Sequence, residues 1–424
     1  MLSVQVAEAK ILALSHPLDA TLDIERVDLL AAHGRILATD IRGDLDFPYW
    51  DNSAMDGYAV RQADLQGCSP QQPVALRVVM EVPAGHLPQQ KLQAGEAARI
   101  YTGAMLPVGA DTVVMQEQAQ RQNNQVWFQH CPEPQAFVRH RGAYYQAGNL
   151  LLTPGTMIAA PEIAVLASVQ CTQIQVYRRL QVALFSTGNE LVAPEESIKP
   201  GQIVDSNQFA LAALVRQAGA QVQRLGIVGD GLAEVKGAIA QAIAQADVVI
   251  SSGGVSVGDY DYVDQALSEL GANIHIRSVA VKPGKPLTVA TFAPTSERPH
   301  SVLYFGLPGN PVSALASFWR FVQPSLGKLS GRMAPWQPSS ILATTEHVLV
   351  ADGQRETYLW GHLRLQDGHY RFSLAGGSHS SGNLINLAGC NSFAIVPCGC
   401  TQISRGAGVQ VLPISTNSPG LWSP

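Results

Sequence analysis

Between about residues 180 and 327 the apolar positions come in short unbroken runs, separated by longer stretches with helical period. The runs at 181–187 (QVALFST), 221–228, 246–251 (ADVVIS), 273–281, 287–292 and 302–305 read as strands; 208–217, 232–245, 262–270 and 312–322 read as helices. Asp205 or Ser206 stands where a cap opens the first of these helices, Gly219 where that helix stops, and Pro311 at the first position of the last. A run such as Val248-Val249-Ile250 has no polar alternation, the mark of a strand covered on both faces. Strand alternating with helix therefore predicts a parallel, doubly covered sheet.

The flanks keep a different rhythm. Residues 47–146 hold many short β runs, among them 74–82 and 126–129, broken by Pro and Gly, and read as an all-β insertion. Residues 147–177 give a turn and one amphipathic helix near 161–168. From residue 333 short strands and turns return, including 346–350 and 392–396, which predicts a small barrel. There is no internal repeat and no low-complexity linker.

At 424 residues and 46% hydrophobic, the chain can bury more than one core. Twenty-eight basic residues against 33 acidic ones, a net charge of −5, exclude a generic basic nucleic-acid binder. No apolar run approaches the roughly 20 residues that span a bilayer. The first ten residues mix Glu8 and Lys10 among apolar ones, unlike a signal segment, so the expected compartment is the cytoplasm. Six cysteines are scattered; Cys398 and Cys400, with one residue between them, lack the usual zinc spacing and read as reduced thiols.

Ligands of an open parallel sheet bind beyond the carboxyl ends of its strands, and four loops there are unusual: 186–191, 251–261, 282–286 and 308–311. The serine-glycine loop at 251–258 can turn its amides toward an anion but lacks the lysine-serine ending of a Walker loop. Asp259 and Asp261 follow it. Alternate carboxylates beside a phosphate cradle suit magnesium; equally, they enrich the first turn of the next helix. Lys282 and Lys285 sit on a turn stiffened by two prolines and a glycine, either as a surface pair or as a cradle for a tetrahedral oxyanion, to which Ser313 can add a hydroxyl. On composition alone, the tight polar segments 52–59 and 99–104 read as solvated turns and strand ends.

Taken together and in this order, NSAMDGYA (52–59), TGA (102–104) with GADTVVMQE (109–117), STGNEL (186–191), SSGGVSVGDYDY (251–262), KPGKP (282–286) and PGNPVSA (308–314) resemble the MoeA and gephyrin E-domain family of molybdopterin molybdotransferases. The resemblance implies the last step of molybdenum cofactor biosynthesis. Adenylylated molybdopterin is hydrolysed at its phosphoanhydride while molybdate passes to the dithiolene, AMP leaves, and Mg2+ is the metal. The implied fold is α/β plus β in an elongated multi-domain protomer. A central parallel three-layer α/β (MogA-like) domain is formed by 1–25 and 178–328, and a linking or dimerisation domain by 26–46 and 147–177. An inserted β domain spans 47–146 and a C-terminal β-barrel 329–424. Also implied are a homodimer with a shared cleft and a small-molecule pterin substrate. The adenylyltransferase of the same pathway is a further expected partner; neither nucleic acid nor membrane is.

By the same resemblance Lys282, Lys285, Pro286 and Ser313, with Arg355 and Ser378 of the barrel, match the molybdate pocket. Thr187, Gly188, Ser252, Gly253, Gly254, Ser256, Pro308, Gly309 and Asn310 match the cofactor cradle, and Asp261 with Asp259 the metal site. Glu190 and Asp230 match acidic positions of the cleft. Asp56 and Thr102 match residues that reach it from the opposite subunit. Asp56, Thr102, Glu190, Asp230, Asp261, Lys282 and Lys285 form the expected catalytic set. Two positions depart from the family pattern. Asn189 stands where the usual motif has Asp, which leaves Glu190 to carry the charge alone, and Asp259 stands where many relatives have Glu, with a shorter reach. Two other readings are an adenylyltransferase, whose domain would look like 178–328 alone, and a non-catalytic gephyrin-like scaffold. The additional β domains and the KPGKP turn favour molybdate insertion over the first, and the full set of anion-site residues favours catalysis over the second.

Overall fold

The computed structural model describes residues 1–254, 262–296 and 298–414. The central apolar runs become the strands Gln181–Thr187, Gln221–Val228, Val248–Ser252, Asn273–Ser278, Pro286–Phe292 and Val302–Leu307 of one six-stranded sheet. Across the sheet their order is Gln221–Val228, Gln181–Thr187, Val248–Ser252, Val302–Leu307, Pro286–Phe292, Asn273–Ser278. The first four run parallel, but the last two pairings are antiparallel, which corrects the all-parallel expectation. The chain returns from Ser278 to Pro286, and from Phe292 to Val302, through connections too short for the dozen or more residues of a crossover.

Alternate residues of these strands feed two cores. Val182, Leu184, Val248, Ile250 and Phe305 pack with the helices Val4–Leu14, Asn207–Gln217 and Pro311–Ser317. Ala183, Phe185, Val249 and Tyr304 pack with Leu232–Gln245 and Tyr262–Glu269. Polar alternation is absent because neither face meets water. Burying a side chain such as Phe185 completely is worth about 1.5–3 kcal/mol. Pro311 opens its helix as expected, and the helical path runs on through a π turn, Phe318–Val322, into Gln323–Leu329.

The insertion forms its own six-stranded sheet, in the order Thr112–Met115, Gly57–Val60, Glu96–Ile100, Val74–Val82, Gln125–Phe128, Ala119–Gln122. Ile24–Asp28 pairs with Gln173–Tyr177 across the two ends of the inserted segment. Beside that pair, Arg178 bridges Asp23 (2.8 Å) and Asp247 (2.7 and 2.8 Å), tying the N-terminal segment to the root of the central sheet. No helix among the described residues is long and apolar enough to cross a membrane.

Toward the C-terminus, Glu356–Gln366 is long enough to pair through its first half with Ser392–Val396 and through its second with His369–Leu374. Ile341–Thr345 and Gly408–Pro413 complete the ring, giving a closed five-stranded barrel. The strand expected at 346–350 shrinks to Leu349–Val350 and lies outside that ring, because residues 341–345 occupy the barrel position. A two-residue strand, Val281–Lys282, adds in parallel to the start of Glu356–Gln366 and so stitches the 282–286 turn to the barrel.

Candidate active site

The site starts where Val248–Ser252 and Gln181–Thr187 end side by side. Gly253 and Gly254 continue the first of these at φ of +91° and +66°, conformations that L side chains rarely adopt. A Cβ on Gly253 would lie 2.4 Å from the Thr187 carbonyl oxygen, and one on Gly254 2.7 Å from the Thr187 hydroxyl. Glycine here is therefore what lets the two strand ends meet. The 308–311 loop closes from the other side: the Asn207 amide donates to the Ser252 hydroxyl (2.7 Å) and to the Gly309 carbonyl (2.8 Å).

These loops enclose a cleft of about 1330 Å³, larger than the roughly 300–1,000 Å³ of pockets that hold one drug-sized ligand. Its described lining brings together Thr187, Gly188, Glu190, Asp230, Ser252, Gly253, Gly254, Pro286, Pro308, Gly309, Asn310 and Ser313, all expected there from the sequence. Ser256, Asp259 and Asp261 lie outside the described residues. From the barrel, residues 382–385 complete the wall, held to the helix Pro311–Ser317 by the Val312 N–H, which donates to the Ser381 carbonyl (3.0 Å).

Polar groups in the cleft divide into committed and uncommitted ones. Asp205 accepts from the backbone and side-chain amides of Gln208. Asn189 and Asp230 clasp each other: the Asn189 N–H donates to the Asp230 carboxylate (3.0 Å) and the Asp230 N–H to the Asn189 amide oxygen (3.2 Å). The carboxamide at 189 thus supplies the acceptor that a carboxylate would, without setting a second negative charge against Asp230. Among the described residues the hydroxyls of Ser186 and Thr187 and the amide oxygen of Asn207 are buried and find no partner. Such groups cost about 1–3 kcal/mol each unless a ligand or water meets them.

The 282–286 turn packs on the same helix. A Cβ on Gly284, at φ +108°, would fall 2.9 Å from the Ser317 hydroxyl and 3.5 Å from the Ser313 carbonyl oxygen. Pairing of Val281–Lys282 with the barrel strand sets Lys282 beside Arg355, and both donate to one oxygen of Asp352, each at 3.2 Å. That carboxyl is held below the ordinary range, first by the Gln354 N–H and then by the two cations. Lys285 is exposed, as is Ser378, whose carbonyl accepts from the side-chain amides of Asn383 and Asn386. Lys282, Lys285, Arg355 and Ser378 do not line the cleft itself.

Asp56 and Thr102 meet on the inserted sheet, away from the cleft lining. The Asp56 carboxylate accepts from the Thr102 N–H and hydroxyl, both at 2.8 Å, and these bonds keep its carboxyl below the usual carboxylate range. Sequence reasoning missed Asp352, the cleft role of Asn207 and the 382–385 loop. Asp352 and Lys282 are 70 positions apart and meet only through the barrel pairing, so no spacing pattern announces them.

Three family models match successive parts of the chain. The MoeA N-terminal region (domain I and II) matches 2–169, a probable molybdopterin binding domain 183–328, and the MoeA C-terminal region (domain IV) 344–414. A molybdopterin molybdenumtransferase of Nostoc sp. is 58% identical over 94% of this chain and 90% of its own length. The chain belongs to the MoeA family. Another relative, the molybdopterin molybdenumtransferase of Haemophilus influenzae, is 33% identical over 98% of this chain and 99% of its own. Among solved structures, the MoeA molybdopterin biosynthesis protein of Pyrococcus horikosii superposes with a TM-score of 0.78 at 30% identity, covering 97% of this chain and 99% of that one. Within this MoeA-family chain, the cleft lies in the segment matched by the molybdopterin-binding model, and its 382–385 wall in the segment matched by the C-terminal model.

Proposed function

We propose that this chain is a molybdopterin molybdenumtransferase, which transfers molybdate to the dithiolene of adenylylated molybdopterin, with hydrolysis of the phosphoanhydride and release of AMP. The observation that carries this reading is the ladder between Val281–Lys282 and the barrel. It puts Lys282 beside Arg355 while Pro286 and Ser313 of the same neighbourhood face the glycine-lined cleft. Molybdate carries two negative charges and must sit close to a pyrophosphate, so the residues' task is to bind, orient and neutralise. In the resting arrangement Asp352 occupies the two cations, and an incoming oxyanion takes over from it. The unpaired hydroxyls of Ser186 and Thr187 offer hydrogen bonds to the substrate at the strand ends. No covalent nucleophile from the protein is required, since a dithiolene sulfur or a molybdate oxygen can attack.

Magnesium belongs to the same reading. A hard cation that takes one or two carboxylates and relies on phosphate oxygens is the metal such a cleft calls for. Asp261, with Asp259, would hold it, and it would neutralise charge on the phosphoanhydride. We also propose a homodimer in which Asp56 and Thr102 serve the partner's cleft; the support is that this pair is built and ionised yet does not line the cleft of its own chain. The central domain (1–25 with 178–328, three-layered and MogA-like), the linking domain (26–46 with 147–177), the insertion (47–146) and the barrel (329–424) are the proposed units, with Lys285 and Ser378 completing the molybdate pocket.

The test is turnover of adenylylated pterin with molybdate. Lys285→Ala is expected to lose activity while keeping its fold; undiminished turnover refutes the pocket. Wild-type protein given ATP is expected to release no pyrophosphate, and substantial release establishes an adenylyltransferase instead. Mixing inactive Asp56→Ala with inactive Lys285→Ala protein is expected to restore part of the activity, and no rescue after confirmed subunit exchange refutes the shared site.

A further inference from the structure

The barrel carries a second hollow, of about 440 Å³, which shares no residue with the cleft and is lined by Thr344, Glu346, His347, Arg371 and Arg405 among others. Arg371 stands on His369–Leu374 in register with Thr344 of the neighbouring strand, and Arg405 on the turn before Gly408–Pro413. Among the described residues no carboxylate comes within 4.0 Å of either guanidinium, although Glu346 shares the hollow. The Nε of Arg371 is buried and, among the described residues, has no hydrogen-bond partner. His347 adds a donor. Its Nδ1 accepts the Leu374 N–H at 3.3 Å, which leaves Nε2 to carry the proton of the neutral ring.

Two guanidinium groups against the single Glu346 carboxylate leave the hollow an excess of positive charge, which favours an anionic guest. Donors from separate strands and a turn suit oxygens that point in several directions, as in a tetrahedral anion, better than the two coplanar oxygens of a carboxylate. We propose that this hollow on the barrel binds a phosphate group, with Arg371 and Arg405 as its cationic ligands and His347 Nε2 as a neutral donor. The phosphate is either the free inorganic ion or the terminal group of a phosphomonoester, and both present the same tetrahedral dianion. Nothing in the hollow depends on the chemistry assigned to the cleft.

The experiment is calorimetric titration of the full chain with inorganic phosphate and, separately, with AMP, on wild type, Arg405→Ala, Arg371→Gln and Lys285→Ala. Phosphate binding is expected in the wild type, retained in Lys285→Ala, and weakened at least about tenfold in each arginine variant, the scale of one lost charge-assisted contact. It is also expected to weaken as salt rises. AMP losing affinity in the same variants identifies a phosphomonoester as the guest, whereas phosphate alone losing affinity identifies the free ion. Absence of phosphate and AMP binding in the wild type at tens of millimolar overturns the proposal, as does equal affinity in Arg405→Ala and wild type. Arg405 is exposed on a turn, so its variant decides the matter even if Arg371→Gln fails to fold.

Discussion

Alanine at Gly253 tests the close approach on which the cleft depends. At φ +91° a non-glycine residue costs about 1–2 kcal/mol. The added Cβ would stand 2.4 Å from the Thr187 carbonyl oxygen, roughly 1 Å inside contact distance. That obstacle is strand backbone rather than a side-chain tip, so an overpacking cost of about 1–3 kcal/mol follows. Together the variant should lose on the order of 2–5 kcal/mol. Gly237, inside the helix Leu232–Gln245, supplies the control, because a Cβ there meets nothing within 4 Å. Gly237→Ala should gain about 0.5–1 kcal/mol from helix propensity. In scanning calorimetry the first variant should melt on the order of 10 °C below wild type and the second slightly above it. A Gly253→Ala protein that melts within a degree of wild type and retains turnover would falsify the claim that glycine is needed for the strand ends to meet.

Other outcomes follow from the same coordinates. Arg178→Met strips the cation from Asp23 and Asp247, whose side chains are 6% and 14% exposed. Breaking a buried pair costs about 3–5 kcal/mol, and because Arg178 is itself 30% exposed the expected loss is about 2–3 kcal/mol in urea denaturation; a loss below about 0.5 contradicts the network's role. His379 lies against Trp360 (4.3 Å) and hydrogen-bonds the Ala375 carbonyl, and burial pushes its pKa below the ordinary value. The unfolded chain therefore takes up the proton first as pH falls, so stability is present above about pH 6.5 and declines below it. His379→Phe should flatten that slope between about pH 5 and 7 in urea midpoints, and an unchanged slope assigns it to other groups. Thr102→Val removes one of the two bonds that hold the Asp56 carboxyl low, so its titration, followed by carboxyl NMR, should move up toward the ordinary value of about 3.9; no movement means that the hydroxyl contributes nothing.

The central strands were legible because burial on both faces writes itself as unbroken apolar runs, and Leu232–Gln245 appears with the bounds that its periodicity predicts. Direction was not legible. A strand buried on both sides looks alike whichever way it runs, and only the short returns around Ser278 and Phe292 make the two edge pairings antiparallel. The cleft loops were readable as motifs because each needs glycine or proline at a fixed place. Val281–Lys282 is too short to leave any pattern, and Asp352 acquires its partners only through that pairing. The clasp between Asn189 and Asp230 was hidden for a similar reason, since it joins two loops 41 positions apart through backbone amides whose orientation no side-chain code reveals.

The parallel graft of Val281–Lys282 onto Glu356–Gln366 carries a consequence for modularity. A polypeptide cut short after its last helix would still have every strand of the central sheet, but residues 281–282 would have lost the template that draws them out straight. The lysine-bearing bend is shaped by the tail end of the molecule as well as by the helix on which it packs. Exchanging barrels between relatives therefore succeeds only when the incoming barrel offers a backbone edge in the same register, however well its surface residues match.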